Sequence, residues 1–73
     1  MTKLPNISGT ECVDVLLKAG FYVKRQRGSH IVLRKNDLFS QLVVPDHRSS
    51  DRGTLRAIIR QAGLSLNEFH ALL

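Results

Sequence analysis

Gly28-Ser29-His30 is the stretch of this chain best suited to do chemistry. It follows the basic run Lys24-Arg25-Gln26-Arg27 and leads directly into the alternating segment Ile31-Val32-Leu33-Arg34. Histidine is the side chain that exchanges protons most readily near neutral pH. Behind a flexible glycine and among arginines, His30 can do acid–base work on a phosphodiester. The triplet alone also fits a half-exposed strand histidine following a hairpin turn, so the rest of the chain has to decide.

The elements that position these residues are legible. Ser8-Gly9-Thr10-Glu11 is a capping box, in which serine and glutamate satisfy each other's backbone amides. Cys12, Val15, Leu16 and Ala19 then follow at i, i+3, i+4 and i+7, one apolar helical face. This predicts a helix over about 8–19, ended by Gly20. Phe21-Tyr22-Val23 opens a strand that continues through the basic run to Arg27. Gly28-Ser29 is a hairpin turn. A second strand is expected over His30 to Arg34, a polar turn at Lys35-Asn36-Asp37, and a third strand over Phe39 to Val44, stopped by Pro45. On the second strand, Ile31 and Leu33 share one side and His30, Val32 and Arg34 the other. If the first pair packs on helices, His30 and Arg34 point to the uncovered face.

Pro45 to Asp51 is a polar connector containing His47 and Arg48. Leu55, Ile58, Ile59 and Ala62 repeat the apolar helical spacing, and Gly63 ends that helix. Its other side carries Arg52, Arg56 and Arg60, spaced by four, with no acidic residue from Arg52 to Ala62. This stripe is read as an electrostatic footprint for an anionic partner. Ser65-Leu66-Asn67-Glu68 is a second capping box and opens a short last helix, on whose surface His70 is expected to sit without a role.

Seventy-three residues with 42% apolar content suit one small folded domain, spanning 1–73. Eleven Lys and Arg against six Asp and Glu give a formal charge of +5. Seven of the eleven are arginine, whose planar fork fits phosphate. The balance points to nucleic acid first, an acidic protein second and a membrane surface third. No apolar run approaches the ~20 residues that cross a bilayer, and no secretory signal is apparent, so a cytoplasmic protein is expected. The single Cys12 rules out an internal disulfide. One cysteine with the scattered His30, His47 and His70 matches no zinc spacing, and neither a metal nor another cofactor is expected.

Helix, three antiparallel strands, helix is the order of double-stranded-RNA-binding domains: an α+β fold, α-β-β-β-α, with both helices on one sheet face and here a short extra C-terminal helix. Beyond the fold, nearly the whole chain resembles the HicA family of bacterial toxins. The resemblance is carried by Ala19-Gly20-Phe21, by Gly28-Ser29-His30, and by Val44-Pro45-Asp46-His47. Gly53-Thr54-Leu55-Arg56 leading to Ile58, and Gln61-Ala62-Gly63-Leu64, complete it. It implies an mRNA endoribonuclease that needs no metal, with His30 as the essential residue, and a HicB-type antitoxin that covers the active face. The loop Lys35 to Leu38 is short beside that of many relatives, and the tail beyond Leu64 extends further than theirs.

Metal-free RNA cleavage uses the substrate 2′-OH as nucleophile, so the protein must move two protons and stabilise charge on phosphorus. His30 is the candidate for one proton transfer. Lys24, Arg25, Arg27, Gly28, Ser29, Arg34 and Arg56 are the candidate RNA-binding residues, by charge or by exposed backbone amides at the turn. For the second proton, His47, Tyr22 and Ser29 are candidates. Two other readings remain at this point. One is a non-catalytic RNA-binding module with the same basic surfaces. The other is a basic dock for an acidic partner. A monomer is the default for the free chain.

Overall fold

A computed structural model describes residues 3–36, 40–49 and 51–73. Its elements run α1 (Gly9–Lys18), β1 (Tyr22–Arg27), β2 (His30–Lys35), β3 (Ser40–Pro45), α2 (Arg52–Gln61) and α3 (Leu66–Ala71). The three strands form one antiparallel sheet in the order β1-β2-β3. This is the α+β arrangement expected from the sequence. Asp37, the start of the third strand at Phe39, and Ser50 of the connector lie outside the described residues.

Both capping boxes form in full. The Ser8 hydroxyl accepts from the Glu11 amide and the Glu11 carboxylate accepts from the Ser8 amide, at 3.1 and 3.0 Å. Ser65 and Glu68 repeat the pattern at 3.0 and 2.8 Å. The Ser65 backbone amide, and after it the Ser65 hydroxyl, hold the exposed Glu68 carboxyl below its usual range. Asp51 caps α2 by accepting from the Thr54 amide at 3.1 Å.

Alternation decides which strand residues enter the core. Ile31, Leu33, Leu42 and Val44 are buried from the sheet, with Cys12, Val15 and Leu16 from α1 and Leu55, Ile58 and Ile59 from α2. α1 packs against β1 and β3, and α2 against β3, all on one sheet face. Burial of each such aliphatic side chain is worth roughly 1.5–3 kcal/mol. The tail takes part as well: Phe69 of α3 is completely buried in the same cluster. His70, expected to decorate α3, instead donates from Nε2 to the Lys3 carbonyl, tying that helix to the N-terminal segment. Desolvation in the core pushes the Cys12 thiol up to about 11.

Candidate functional site

The face of the sheet away from the helices carries the candidate site, and strand register sets its composition. Arg27 lies opposite His30, Arg25 opposite Val32 and Tyr22 opposite Arg34 on the β1–β2 side. On the β3 side Pro45, Val43 and Gln41 oppose the same three β2 residues. Ile31 and Leu33 belong to the core, so these three rows point to the open face.

A β-bulge makes this surface basic. Between Val23 and Arg25 the register slips, leaving Lys24 as the extra residue on β1. Unbroken alternation from Tyr22 would put Lys24 and Gln26 on the open face and send Arg25 and Arg27 toward the core side. The bulge inverts that parity, so Arg25 and Arg27 join His30 and Arg34. Every residue of β1 is exposed. Val32, sharing this outward face, is nonetheless only 7% exposed, with Arg25 on one side and Val43 on the other. Arginine stems cover apolar neighbours in this way while their charged heads stay in water.

At the His30 end, the chain turns through Gly28-Ser29. Gly28 has φ +55° with open space around it, so the left-handed backbone, rather than crowding, calls for glycine. The Gln26 side-chain amide donates to the Gly28 carbonyl at 3.1 Å and steadies the turn. The Asp46 amide donates to the Ser29 carbonyl at 2.6 Å, and the Gly9 amide to the His47 carbonyl at 2.8 Å. Thr10 Oγ1 donates to Asp46 Oδ1 at 3.3 Å. The hairpin turn, the connector after β3 and the start of α1 are thereby tied together beside His30.

His30 is exposed, and among the described residues its ring has no hydrogen bond or ion pair. The same holds for His47, whose backbone is fixed while its side chain borders a small recess with Pro45, Asp51 and Thr54. His47 follows Pro45 by two residues, and Pro45 opposes His30, so the two histidines share one end of the sheet. Ser29 is adjacent to His30 and exposed. Tyr22 is elsewhere: its row is four residues along β2, roughly 13 Å away at strand rise. Its hydroxyl donates to Asn36 Oδ1 at 3.1 Å.

No acidic side chain belongs to the three rows, and among the described residues no ion pair neutralises Arg25, Arg27 or Arg34. Arg56 is not brought to this group. It is exposed on α2, whose inner side packs in the core on the opposite face of the sheet. The open face therefore sets the exposed His30 imidazole beside guanidinium groups that form no ion pair among the described residues. Among the described residues, no group of three or more His, Cys, Asp or Glu is placed to hold a metal ion.

A family model described as HicA toxin of bacterial toxin-antitoxin systems matches residues 9–64, from the first residue of α1 to just past α2. This chain belongs to the HicA toxin family. It thus has the role of a toxin in a toxin–antitoxin pair, with an antitoxin as its partner. No curated protein matches the chain. The HicA match takes in the hairpin, the connector and both long helices, and leaves α3 and the segment before α1 outside it. Among the described residues no helix is long and apolar enough to cross a membrane.

Proposed function

We propose that this HicA toxin is a cytoplasmic mRNA endoribonuclease that works without a metal, with His30 as its proton-transfer residue. The observation carrying this reading is the row Arg27–His30–Pro45 at the end of an open sheet face whose charged groups are all cationic. His30 removes the proton from a substrate 2′-OH, the 2′-oxygen attacks the adjacent phosphorus, and the 5′-oxygen leaves with a proton. The products are a 2′,3′-cyclic phosphate and a 5′-hydroxyl. Arg27, opposite His30, and Arg34, further along the same face, stabilise the charge that develops on phosphorus. Lys24 and Arg25 extend the path of the strand, and the amides around Gly28 and Ser29 approach the phosphate. For the second proton His47 and Ser29 lie at the correct end of the sheet, whereas Tyr22 does not.

Residues 1–73 act as one unit in this reading, monomeric when free, and a HicB-type antitoxin inhibits it by covering the sheet face. The chemistry is tested by product ends. The cut RNA carries 2′,3′-cyclic phosphate termini, and a 2′-O-methyl copy of the same strand is bound but not cut. Products ending in 5′-phosphate would overturn the mechanism. One observation favours a second reading, a non-catalytic RNA-binding module: among the described residues neither histidine ring has an orienting hydrogen bond. That reading predicts salt-sensitive binding to both strands and cutting of neither.

A further inference from the structure

The arginine stripe of α2 borders a groove separate from the open sheet face. The groove has a volume of about 480 Å³, within the range of ligand-binding clefts. Exposed Lys3, Arg52, Arg56 and Arg60 supply its cations, and no acidic residue among the described residues lines it. Among the described residues none of these four takes part in an ion pair. The rest of the lining is aliphatic: Ile59 is part of the core, and Leu4, Leu64 and Leu66 are half-buried against it. Three of the eight lining residues, Lys3, Leu4 and Leu66, lie outside the 9–64 span of the family match. Their segments are joined by the bond from His70 Nε2 to the Lys3 carbonyl. The groove is thus completed by segments that flank the matched span on both sides.

We propose that this groove binds an acidic peptide segment with an aliphatic anchor, contributed by a partner protein. Four unpaired cations select an anionic ligand by charge complementarity. The leucine floor then narrows the choice. A phosphate backbone needs the cations but leaves half-exposed leucines uncovered, and nucleobases stack on aromatic side chains, of which this groove has none among the described residues. A membrane surface calls for protruding apolar groups, and these are recessed. A leucine or isoleucine flanked by carboxylates satisfies floor and rim together, as an anchor residue does in a peptide groove.

The test uses the full chain and a fluorescein-labelled peptide that alternates glutamates with two leucines, followed by fluorescence polarisation. Its control replaces both leucines by serine at constant charge. The leucine peptide is expected to bind at least about tenfold more tightly than the serine peptide. Arg52→Glu is expected to weaken it about five- to tenfold, by turning a surface attraction into a repulsion. Residue 52 opens α2, where a glutamate favours the helix dipole, so the variant's melting temperature is expected to hold or rise. A 2′-O-methyl RNA strand is expected not to displace the peptide. Equal affinity for the two peptides, or no effect of Arg52→Glu, would overturn the proposal. Displacement by the RNA, with RNA binding also lost in Arg52→Glu, would make the groove a nucleic-acid surface instead. RNA cleavage is read separately, so absent cleavage with intact peptide binding counts against the ribonuclease reading alone.

Discussion

Gly9→Ala should destabilise this protein severely, although its place in a helix suggests the reverse. Alanine in a helix is ordinarily better than glycine by roughly 0.5–1 kcal/mol, less at the first position. Here the first turn of α1 touches backbone. A Cβ on residue 9 would sit 2.1 Å from the Pro45 carbonyl oxygen and 3.0 Å from Asp46 Cα. Ordinary packing requires α1 and the connector to part by roughly 1 Å, and neither neighbour is a flexible side-chain end. Such overpacking costs ~1–3 kcal/mol. The Gly9 amide bond to the His47 carbonyl, 2.8 Å long, is stretched by the same movement, adding ~0.5–1.5 kcal/mol. After the propensity gain, the net loss is about 1–4 kcal/mol, centred at about 2.5. A chain of this size has a total stability of roughly 4–10 kcal/mol. The expected fall in melting temperature is about 10–20 °C, measured by circular dichroism and supported by urea titration. The displaced connector also holds the Ser29 carbonyl through the Asp46 amide, so RNA cleavage should fall even where the variant is fully folded. A melting temperature within about 3 °C of wild type, or above it, would refute the close-approach argument.

Two further expectations concern charge. Replacing Arg27 or Arg34 by Gln should lower the dependence of RNA affinity on salt by ~0.7 log units per log of salt for each phosphate that is no longer neutralised; an unchanged slope would take that residue off the RNA path. Cys12 bears on the core. Its folded-state value of about 11 stands above the ordinary 9.0, so its contribution to stability is fully present below pH 9 and is lost as pH rises from 9 to 11. At roughly 1.36 kcal/mol per unit, the stability of wild type relative to Cys12→Ala should fall by about 3 kcal/mol across that interval in urea titrations. A constant difference would mean that the thiol is not desolvated in the folded chain.

Short-range chemistry made much of this fold legible. Serine and glutamate three apart announced α1 and α3, apolar spacing announced α1 and α2, and Gly28-Ser29 announced the hairpin. The outward position of His30 followed from alternation on β2 alone. The basic character of the face around it did not, because it depends on the bulge at Lys24, for which the run Val23-Lys24-Arg25 carries no local signal. Pro45, read as a strand terminator, is instead the last residue of β3 and sits opposite His30. Gly9 read as one member of a capping box, since its close approach to Pro45 and Asp46 joins parts of the chain distant in sequence. The arginine stripe was visible as periodicity. Its separation from His30, and its groove with Lys3, Leu4 and Leu66, arise only when the helices settle on one sheet face and the two ends of the chain meet over α2.

On the proposed mechanism, His30 exchanges a proton with the substrate. The most direct test of this step is cleavage of a labelled, structure-poor RNA by wild type and His30→Ala in excess EDTA, with circular dichroism and RNA affinity matched. The side chain is exposed and forms no hydrogen bond among the described residues, so the substitution should leave fold and binding intact. Loss of proton transfer predicts a rate lower by roughly 10²–10⁴. Cleavage by His30→Ala at the wild-type rate would show that His30 is not the proton-transfer residue.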